Sequence, residues 1–427
     1  MAEEKEAPKR VSRRQFVKGA ALGAGALAGA GALASCAPAA SPAPAATPAP
    51  APTCPPAEEC PPCPTPWIPS TWDEEADVVV CGYGTGGIPA AIDAADAGAD
   101  VLVIEKLAEG GGCMRRSGGG VFGGPTSIQQ ALGIEDSADL VYEYFLKLGG
   151  GFTDPELERL HADNCGPNVD WLIELGAEMP LEASPSWAEE LLMQPSTIEP
   201  GIRFCQTDDF YTQFGLPAIP RAHFFTPAPE YRGLGQLDWG SAWMEGLPGG
   251  TGVFQPLDDA AKARGVRIMT ETGLVGLVAT PDGEVLGVKA LSGGNTLYIK
   301  AKKGVVITTG EWVNNEKMVM TYAPERLEET IMTHPDHAHG EGIIAAHAIG
   351  ADLTMMWFNG NFGGGGLLIN PKTEVIDVFG EVIPRLYAAP FAAGGAYYTY
   401  TGGSHVSCAI CFGRIAGQNA ATLDSWG

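Results

Sequence analysis

The chain has 427 residues, 45% of them hydrophobic, which is enough to build a large buried core. Its formal net charge of −25 gives the surface a negative field that repels phosphate backbones and anionic lipid heads. These values exclude a disordered or fibrous protein, and they exclude nucleic acid as an expected partner.

Residues 1–36 are typical of a targeting segment rather than of a folded domain. Residues 12–18 resemble a twin-arginine export signal, and the small-residue stretch that follows, residues 19–34, is short for a membrane span. Residues 33–36 resemble a bacterial lipobox, in which Cys36 is lipidated and becomes the new N-terminus. We therefore expect an extracytoplasmic protein held to the bacterial cell membrane by a lipid. An uncleaved N-terminal anchor is the alternative.

Residues 37–71 are rich in Pro and Ala and predict a semi-rigid tether. The tether contains Cys54, Cys60 and Cys63. Three thiols without a local fourth ligand favour a disulfide plus one spare thiol, or a crosslink between chains, over a metal site. The sequence has no Cys-x-x-Cys-His motif, so covalent c-type haem has no attachment site.

A dinucleotide-binding pattern starts at residue 77. A buried strand at 77–81 leads into a glycine-rich turn, then a helical stretch at 88–98, a second strand at 101–104 and Glu105. The order strand, turn, helix, strand and acid predicts a pyrophosphate at the helix start, with Glu105 on the ribose. A glycine-rich turn without a nucleotide is the alternative.

The turn residues have separate predicted tasks. Gly82 permits the tight turn, Gly84 lets the backbone approach the pyrophosphate, and Gly87 allows close packing. Thr85 and Gly86 complete the cofactor-binding turn.

A second glycine-rich segment, residues 110–120, follows directly after Glu105 and Lys106. This is more than NAD binding requires, and it suits a backbone that passes under a flavin. The sequence therefore favours FAD. The predicted contacts in this part are Lys106, Gly112, Cys113, Ser117, Gly118 and Gly119.

The chain resembles the superfamily of FAD-dependent fumarate reductases and 3-ketosteroid dehydrogenases. The matching pieces are residues 77–106, 111–119, 169–177, 301–310, 339–351, 383–389, 402–404 and 412–417. The resemblance implies an α/β fold, with a Rossmann-like FAD-binding domain (a parallel sheet plus a small β-layer) and a substrate-cap domain. Residues 285–289 and 297–300 alternate like the strands of a hairpin turning at 293–295, which agrees with the small layer.

The resemblance assigns residues 72–310 and 376–427 to the FAD-binding domain and leaves 311–375 as a shortened cap. The aromatic-rich stretch 180–250 is expected to add cover. Two positions depart from the family pattern, since Glu311 replaces a glycine and Pro390 removes an N–H group.

The resemblance also implies flavin contacts late in the chain, at Thr309, Gly310, Ser404 and Val406. The helix that opens at 402–404 would point its N-terminus at the electron-rich edge of the flavin. No His occurs in residues 111–120, where some family members attach FAD covalently, so we expect noncovalent FAD.

The candidate catalytic residues are Tyr400 and His405. Fumarate reductases have a substrate Arg where this chain has Tyr400, which disfavours dicarboxylates. A Tyr hydroxyl there resembles the ketosteroid dehydrogenase arrangement, in which it binds a ketone oxygen. The alternatives are that Tyr400 only packs beside the cofactor, or that Tyr397 or Tyr398 takes its place.

Other reactive side chains have simpler explanations. The cluster of His334, His337, His339 and His347 lacks a complete ligand motif, so we expect no metal. Arg221 and His223 are weaker candidates for the substrate pocket. Cys408 and Cys411 fit buried helix cysteines better than a redox disulfide.

The sequence thus predicts a flavoenzyme that acts by hydride transfer at flavin N5 on a C=C or CH–CH bond beside a carbonyl, in an enone or ketosteroid-like substrate. The alternatives are an electron-transfer flavin lipoprotein, an enoate or fumarate-type reductase, and a non-enzymatic solute-binding lipoprotein. The electron donor or acceptor is not identified by the sequence.

Overall fold

The computed structural model describes residues 68–179, 202–203, 214–232, 237–238, 245–246, 248–326, 337–357, 365–396 and 402–426. The predictions for the export signal, the lipobox and the thiols of the tether lie outside the described residues. In these described ranges no helix is both long and apolar enough to span a bilayer.

Fifteen strands are present in the described part of the chain. They are β1 (Glu74–Cys81), β2 (Val101–Ile104), β3 (Gly120–Phe122), β4 (Ile202–Arg203), β5 (Ala222–Phe224), β6 (Leu237–Asp238), β7 (Glu245–Gly246), β8 (Arg267–Met269), β9 (Thr272–Ala279), β10 (Val285–Ser292), β11 (Asn295–Ile307), β12 (Leu353–Thr354), β13 (Gly366–Leu367), β14 (Glu374–Ile376) and β15 (Val382–Ala388).

Nine α-helices accompany the strands in the same ranges. They are α1 (Gly87–Asp96), α2 (Gly112–Arg115), α3 (Ser127–Ala131), α4 (Ala138–Gly149), α5 (Pro155–Glu174), α6 (Thr251–Ala263), α7 (Glu316–Tyr322), α8 (Glu341–His347) and α9 (Ser404–Thr422). Short 3₁₀ turns cover Pro229–Tyr231, Pro248–Gly250 and Pro324–Arg326.

The main sheet has eight strands and two parts. Its parallel part has the order β15-β11-β1-β2-β8, with β14 antiparallel on the outer edge of β15. The first half of β11 also pairs with β10, and β10 pairs with β9, to form an antiparallel layer. The α/β fold with a parallel sheet and a smaller β-layer is therefore confirmed.

Strand β1 is buried on both faces, as its continuous apolar run predicts. Val78 and Val80 point into one core with α1, whereas Val79 and Cys81 point into the opposite core. The sheet thus separates two apolar cores and holds the end of β1 rigidly between them.

The predicted hairpin is also present. β10 and β11 are antiparallel, Ser292 pairs with Asn295, and the two residues between them, Gly293 and Gly294, both have positive φ. This two-residue turn matches the right-handed twist of the strands.

The described parts of the segment predicted as a cap pack against the sheet. Trp312, Val319, Ala345 and Leu367 belong to the same core as Val79 of β1. The Trp312 indole N–H donates to the Gly365 carbonyl at 3.1 Å. The described part of 311–375 therefore contributes side chains to the core of the sheet. That this segment also forms a shortened cap stays a prediction.

Candidate cofactor and active site

The turn after β1 adopts the backbone that its glycines predict. Gly82 has φ of +108°, and a β-carbon there would lie 2.5 Å from the Thr308 carbonyl oxygen. A β-carbon on Gly87 would lie 1.8 Å from the Gly82 carbonyl oxygen. The turn role of Gly82 and the packing role of Gly87 are confirmed, because neither place has room for a side chain.

A second group of glycines borders open space instead. A β-carbon on Gly84 or Gly310 would have no atom within 4 Å, and one on Gly112 would come 3.5 Å from the Gly84 Cα. We call Gly82, Gly84, Gly87, Gly112 and Gly310 the glycine cradle. The open side of this cradle begins at the N-terminus of α1, where helix N–H groups have no partner inside the helix, so it fits an anionic pyrophosphate.

Glu105 is fastened to the turn by backbone hydrogen bonds. The N–H groups of Tyr83 and Leu107 each donate to its carboxylate at 2.8 Å. Burial raises the pKa of Glu105, and these hydrogen bonds oppose that effect. The carboxylate oxygens keep acceptor capacity toward a ribose, the role predicted for Glu105.

Tyr83 is a positioning residue that the sequence analysis did not identify. Its hydroxyl donates to Asp258 of α6 at 2.8 Å, and its carbonyl accepts from the Gly111 N–H at 2.7 Å. Lys262 donates to the other Asp258 oxygen at 2.6 Å. Tyr83 therefore joins the glycine cradle, Glu105 and α6. Its only signal in the sequence is a large aromatic residue between two glycines.

Several predicted cofactor residues also have partners within the protein. The Lys106 ammonium donates to Glu341 at 2.5 Å and to the His337 carbonyl at 2.6 Å. The Thr309 hydroxyl accepts from the Gly342 N–H at 3.2 Å, at the start of α8. The structure brings Lys106, Thr309 and Gly310 to the edge of the sheet where the cradle lies, and their cofactor contacts stay predictions.

The second glycine-rich segment packs on the turn before α6. The Ser117 carbonyl accepts from the Gly250 N–H at 2.7 Å, and a β-carbon on Gly119 would lie 2.5 Å from the Gly249 carbonyl oxygen. The Cys113 side chain is exposed. This packing leaves α2 next to Gly84, as a backbone that runs along a bound cofactor requires.

Helices α1 and α9 touch through glycine and run in the same direction there. A β-carbon on Gly413 would lie 2.1 Å from the Gly86 carbonyl oxygen, and one on Gly417 would lie 2.0 Å from that of Ala90. Arg414 donates to Asp93 at 3.0 Å and lies 4.1 Å from the Trp171 ring centre. α9 begins nine residues before Gly413, and Gly413 lies level with Gly86, one residue before α1 begins. The N-terminus of α9 therefore extends about ten residues, roughly 15 Å, beyond that of α1.

The start of α9 is buried. Ser404 is fully buried, and His405 and Val406 are 8% and 9% exposed. The His405 ring lies against the Phe391 ring, with centroids 4.7 Å apart. Gly403 accepts the Phe122 N–H at 3.1 Å, which ties the helix start to β3. Tyr400, Tyr397 and Tyr398 lie outside the described residues.

Arg221 and His223 are buried and have partners within the protein. Arg221 makes a bidentate ion pair with Asp136, at 2.7 and 2.8 Å, and both side chains are buried. His223 hydrogen-bonds the Thr126 hydroxyl and the Arg221 carbonyl, each at 3.0 Å, and burial lowers its pKa to about 4. Both side chains are engaged within the fold, and their place in a substrate pocket stays a prediction.

The remaining clusters of reactive side chains are the cysteine pair of α9 and the histidines around α8. Cys408 and Cys411 are free, buried thiols whose pKa values burial raises, which confirms the interpretation as helix cysteines. His347 bonds the Ala351 carbonyl at 2.9 Å, and His334 lies outside the described residues. Within the ranges that the structure covers, no group of three or more His, Cys, Asp or Glu side chains is arranged to hold a metal ion.

A further buried polar layer was missed by the sequence analysis. His161 of α5 bonds Ser407 of α9, and Glu158 of α5 lies near Cys408 of α9. The side chains of Glu158, His161 and Ser407 are at most 3% exposed. The sequence signal was present, because Glu158 and His161 fall on the buried stripe of α5 that includes Leu157 and Cys165.

The comparisons with known proteins agree with this geometry. The pattern of the FAD-binding domain family matches residues 77–360. An NADH:fumarate oxidoreductase of Klebsiella pneumoniae is 27% identical over 298 residues, which is 70% of this chain and 26% of the relative. A 3-oxosteroid 1-dehydrogenase of Mycolicibacterium smegmatis is 28% identical over 320 residues, which covers 66% of this chain and 55% of the relative.

A solved structure shares the fold. The 3-ketosteroid-Δ4-(5α)-dehydrogenase of Rhodococcus jostii RHA1, in complex with 4-androstene-3,17-dione, superposes with a TM-score of 0.71 at 22% identity. The match covers 83% of this chain and 98% of that one. The chain spans only about a quarter to a half of the first curated relatives that it matches. The pattern match and the open glycine cradle lead to one conclusion, that this chain belongs to the FAD-binding domain family and takes FAD as its cofactor.

Proposed function

We propose that this protein is an FAD-dependent oxidoreductase that reduces, or forms, a C=C bond beside a carbonyl group. The reduction of fumarate and the dehydrogenation of a 3-oxosteroid, the reactions that the names of the two relatives indicate, both change the order of such a bond. Because the chain spans only part of those relatives, its own substrate is a separate question.

The relative placement of α1 and α9 carries the proposal. If a pyrophosphate binds at the start of α1, the rest of FAD would extend past that end of α1, alongside the first turns of α9 and toward its N-terminus. The start of α9 lies roughly 15 Å farther on, a distance comparable to the span from the pyrophosphate to the isoalloxazine ring. The positive end of α9 would then stabilise negative charge on the reduced ring.

A neutral carbonyl substrate fits the charges better than a dicarboxylate, which needs unengaged cationic side chains. Eight arginines of the described residues already have carboxylate partners: Arg115, Arg159, Arg221, Arg232, Arg264, Arg267, Arg385 and Arg414. These eight side chains are committed to the fold, whereas the buried Nη1 of Arg116 has no hydrogen-bond partner among the described residues. This sequence has Tyr400 at the position where fumarate reductases have their substrate Arg, which supports the same preference.

The chain would contribute positioning, exclusion of water and proton control. Bound FAD supplies hydride transfer. The buried start of α9 and the ring of Phe391 keep water from His405. His405 and Tyr400 are the candidate groups for holding the carbonyl oxygen and moving a proton.

The test uses purified protein with bound FAD, reduced anaerobically. A cyclic enone, a steroid 3-ketone, fumarate and a quinone are each mixed with it while flavin absorbance is followed. We expect the enone or the ketosteroid to reoxidise the flavin and fumarate to react slowly. Reoxidation by the quinone alone would instead indicate an electron-transfer protein, and protein that cannot take up FAD would end the enzymatic interpretation.

We also propose that the protein is exported by the twin-arginine route and lipid-anchored on the outer face of the cell membrane. The support is residues 12–18 and 33–36 of the sequence. Replacing Arg13 and Arg14 by Lys should leave the protein in the cytoplasm, and Cys36→Ala should release it from the membrane fraction. Normal fractionation of both variants would contradict the proposal.

A further inference from the structure

A chain of buried polar side chains lies between α5 and α9. We call Thr153, Glu158, His161 and Ser407 the polar layer; their exposures are 8%, 3%, 1% and 0%. The Thr153 hydroxyl bonds the Glu158 carboxyl, and His161 Nε2 lies 3.0 Å from the Ser407 hydroxyl. Glu158 and His161 are one helical turn apart, so their side chains are neighbours. Burying such groups is costly, and this favours a use beyond packing.

The polar layer runs from solvent to the predicted flavin end of the molecule. Its outer end is next to Asp154, which is exposed and caps α5. Its inner end, Ser407, is in the first turn of α9, where the Ser407 N–H donates to Gly403 at 3.1 Å. The start of α5 also holds the segment that precedes Tyr400 in the sequence, because the Asp154 N–H donates to the Gly395 carbonyl at 2.9 Å.

Burial keeps Glu158 and His161 neutral near pH 7. Burial, and then the charge of Asp154, raises the pKa of Glu158 to about 8, against the Thr153 hydrogen bond. Burial lowers the pKa of His161 to about 3. The titratable groups that face Glu158 are Asp154 and His161 on α5 and Cys408 on α9; the adjoining residues 393–396 are Ala and Gly only.

His161 also has an unused position. Its Nδ1 is buried and has no hydrogen-bond partner among the described residues. A buried polar atom without a partner is rare, and at this place Nδ1 is available to relay a proton while Nε2 holds Ser407.

We propose that the polar layer is a redox-linked proton site, in which Glu158 holds a proton and exchanges it with the start of α9 as the bound cofactor changes oxidation state. The inference rests on the proposed function. Reduction of a C=C bond adds one hydride, which brings both electrons, and one proton; dehydrogenation returns the hydride to the oxidised cofactor and releases the proton. In reduction, Glu158 supplies that proton and takes another from solvent near Asp154. In dehydrogenation, Glu158 first releases its own proton to solvent and then accepts the proton that the substrate loses.

The decisive experiment is a redox titration of the FAD-bound protein from pH 5.5 to 9.5. The wild type, Glu158→Gln and the control Glu156→Gln are compared. Glu156 lies in the same turn of α5 but is exposed, so the control makes the same side-chain substitution outside the layer. We expect the plot of flavin midpoint potential against pH to bend near the Glu158 pKa in the wild type and control, and to lose that bend in Glu158→Gln. Identical plots for all three proteins would overturn the proposal.

A kinetic experiment tests whether the proton passes through the polar layer. Glu158→Gln and Ser407→Ala should slow flavin reoxidation by an enone at least about tenfold, with unchanged FAD affinity, whereas Glu156→Gln should not. Equal rates would contradict a proton route through the layer. The redox titration needs FAD and no substrate, so it still decides the proton site if no enone reacts and the proposed function fails.

Discussion

The glycine cradle and the polar layer are built by opposite means. The cradle is made of backbone, and its glycines either leave space or remove a side chain that would clash. The polar layer is made of side chains from two helices about 250 residues apart in sequence, since His161 and Ser407 are separated by 246 positions. A site made of backbone specifies a cofactor shared by many proteins, whereas a site made of side chains can be particular to one chain.

The largest expected effect is the loss of FAD binding when a glycine of the cradle is replaced by alanine, and two such variants should lose it for different reasons. Gly87→Ala places a β-carbon against the Gly82 carbonyl, so we expect apoprotein stability to fall by about 1–3 kcal/mol and FAD binding to be lost. Gly84→Ala meets no protein atom, so stability should change by less than about 0.5 kcal/mol. Its FAD affinity should still fall, by about a hundredfold, because the methyl group occupies the space of the pyrophosphate.

Urea unfolding of both apoproteins and FAD titration by flavin fluorescence check this pair. The two variants serve as controls for each other, because the chemical change is the same and only the surroundings of the β-carbon differ. Normal FAD affinity in Gly84→Ala would mean that the open side of the cradle does not hold the cofactor.

The sequence predicted the part of the cradle that follows β1, namely Gly82, Gly84 and Gly87, because the information for it is local. Residues 77 to 105 contain the strand, turn, second strand and acid in one stretch, and each glycine has a task that its neighbours define. The hairpin of β10 and β11 was predicted for the same reason, since its turn residues lie between its strands.

Non-local partners could not be predicted in this way. Arg221 is a plausible substrate residue in the sequence, and only the fold shows that Asp136, 85 positions away, neutralises it. Gly413 and Gly417 mark a close helix contact, but nothing in the sequence names α1 as the partner. Glu158 falls on an apolar stripe, yet its neighbour Cys408 is known only once α9 is placed.

The last prediction sharpens the description of the polar layer through the pH dependence of stability, where the effect develops gradually with pH. Glu158 keeps its proton in the folded state up to about pH 8, whereas in the unfolded chain it loses the proton near 4.5. Between these values the unfolded state binds fewer protons, so raising the pH favours unfolding. This contribution to stability is fully present below pH 4.5 and is lost as the pH rises toward about 8.

Gln at position 158 has no proton to lose, so Glu158→Gln should gain stability relative to the wild type by up to about 1.4 kcal/mol per pH unit across that window. Urea unfolding at several pH values measures the difference. The Glu156→Gln variant should run parallel to the wild type, and a parallel curve for Glu158→Gln would mean that Glu158 is ionised in the folded protein and cannot store a proton for the cofactor.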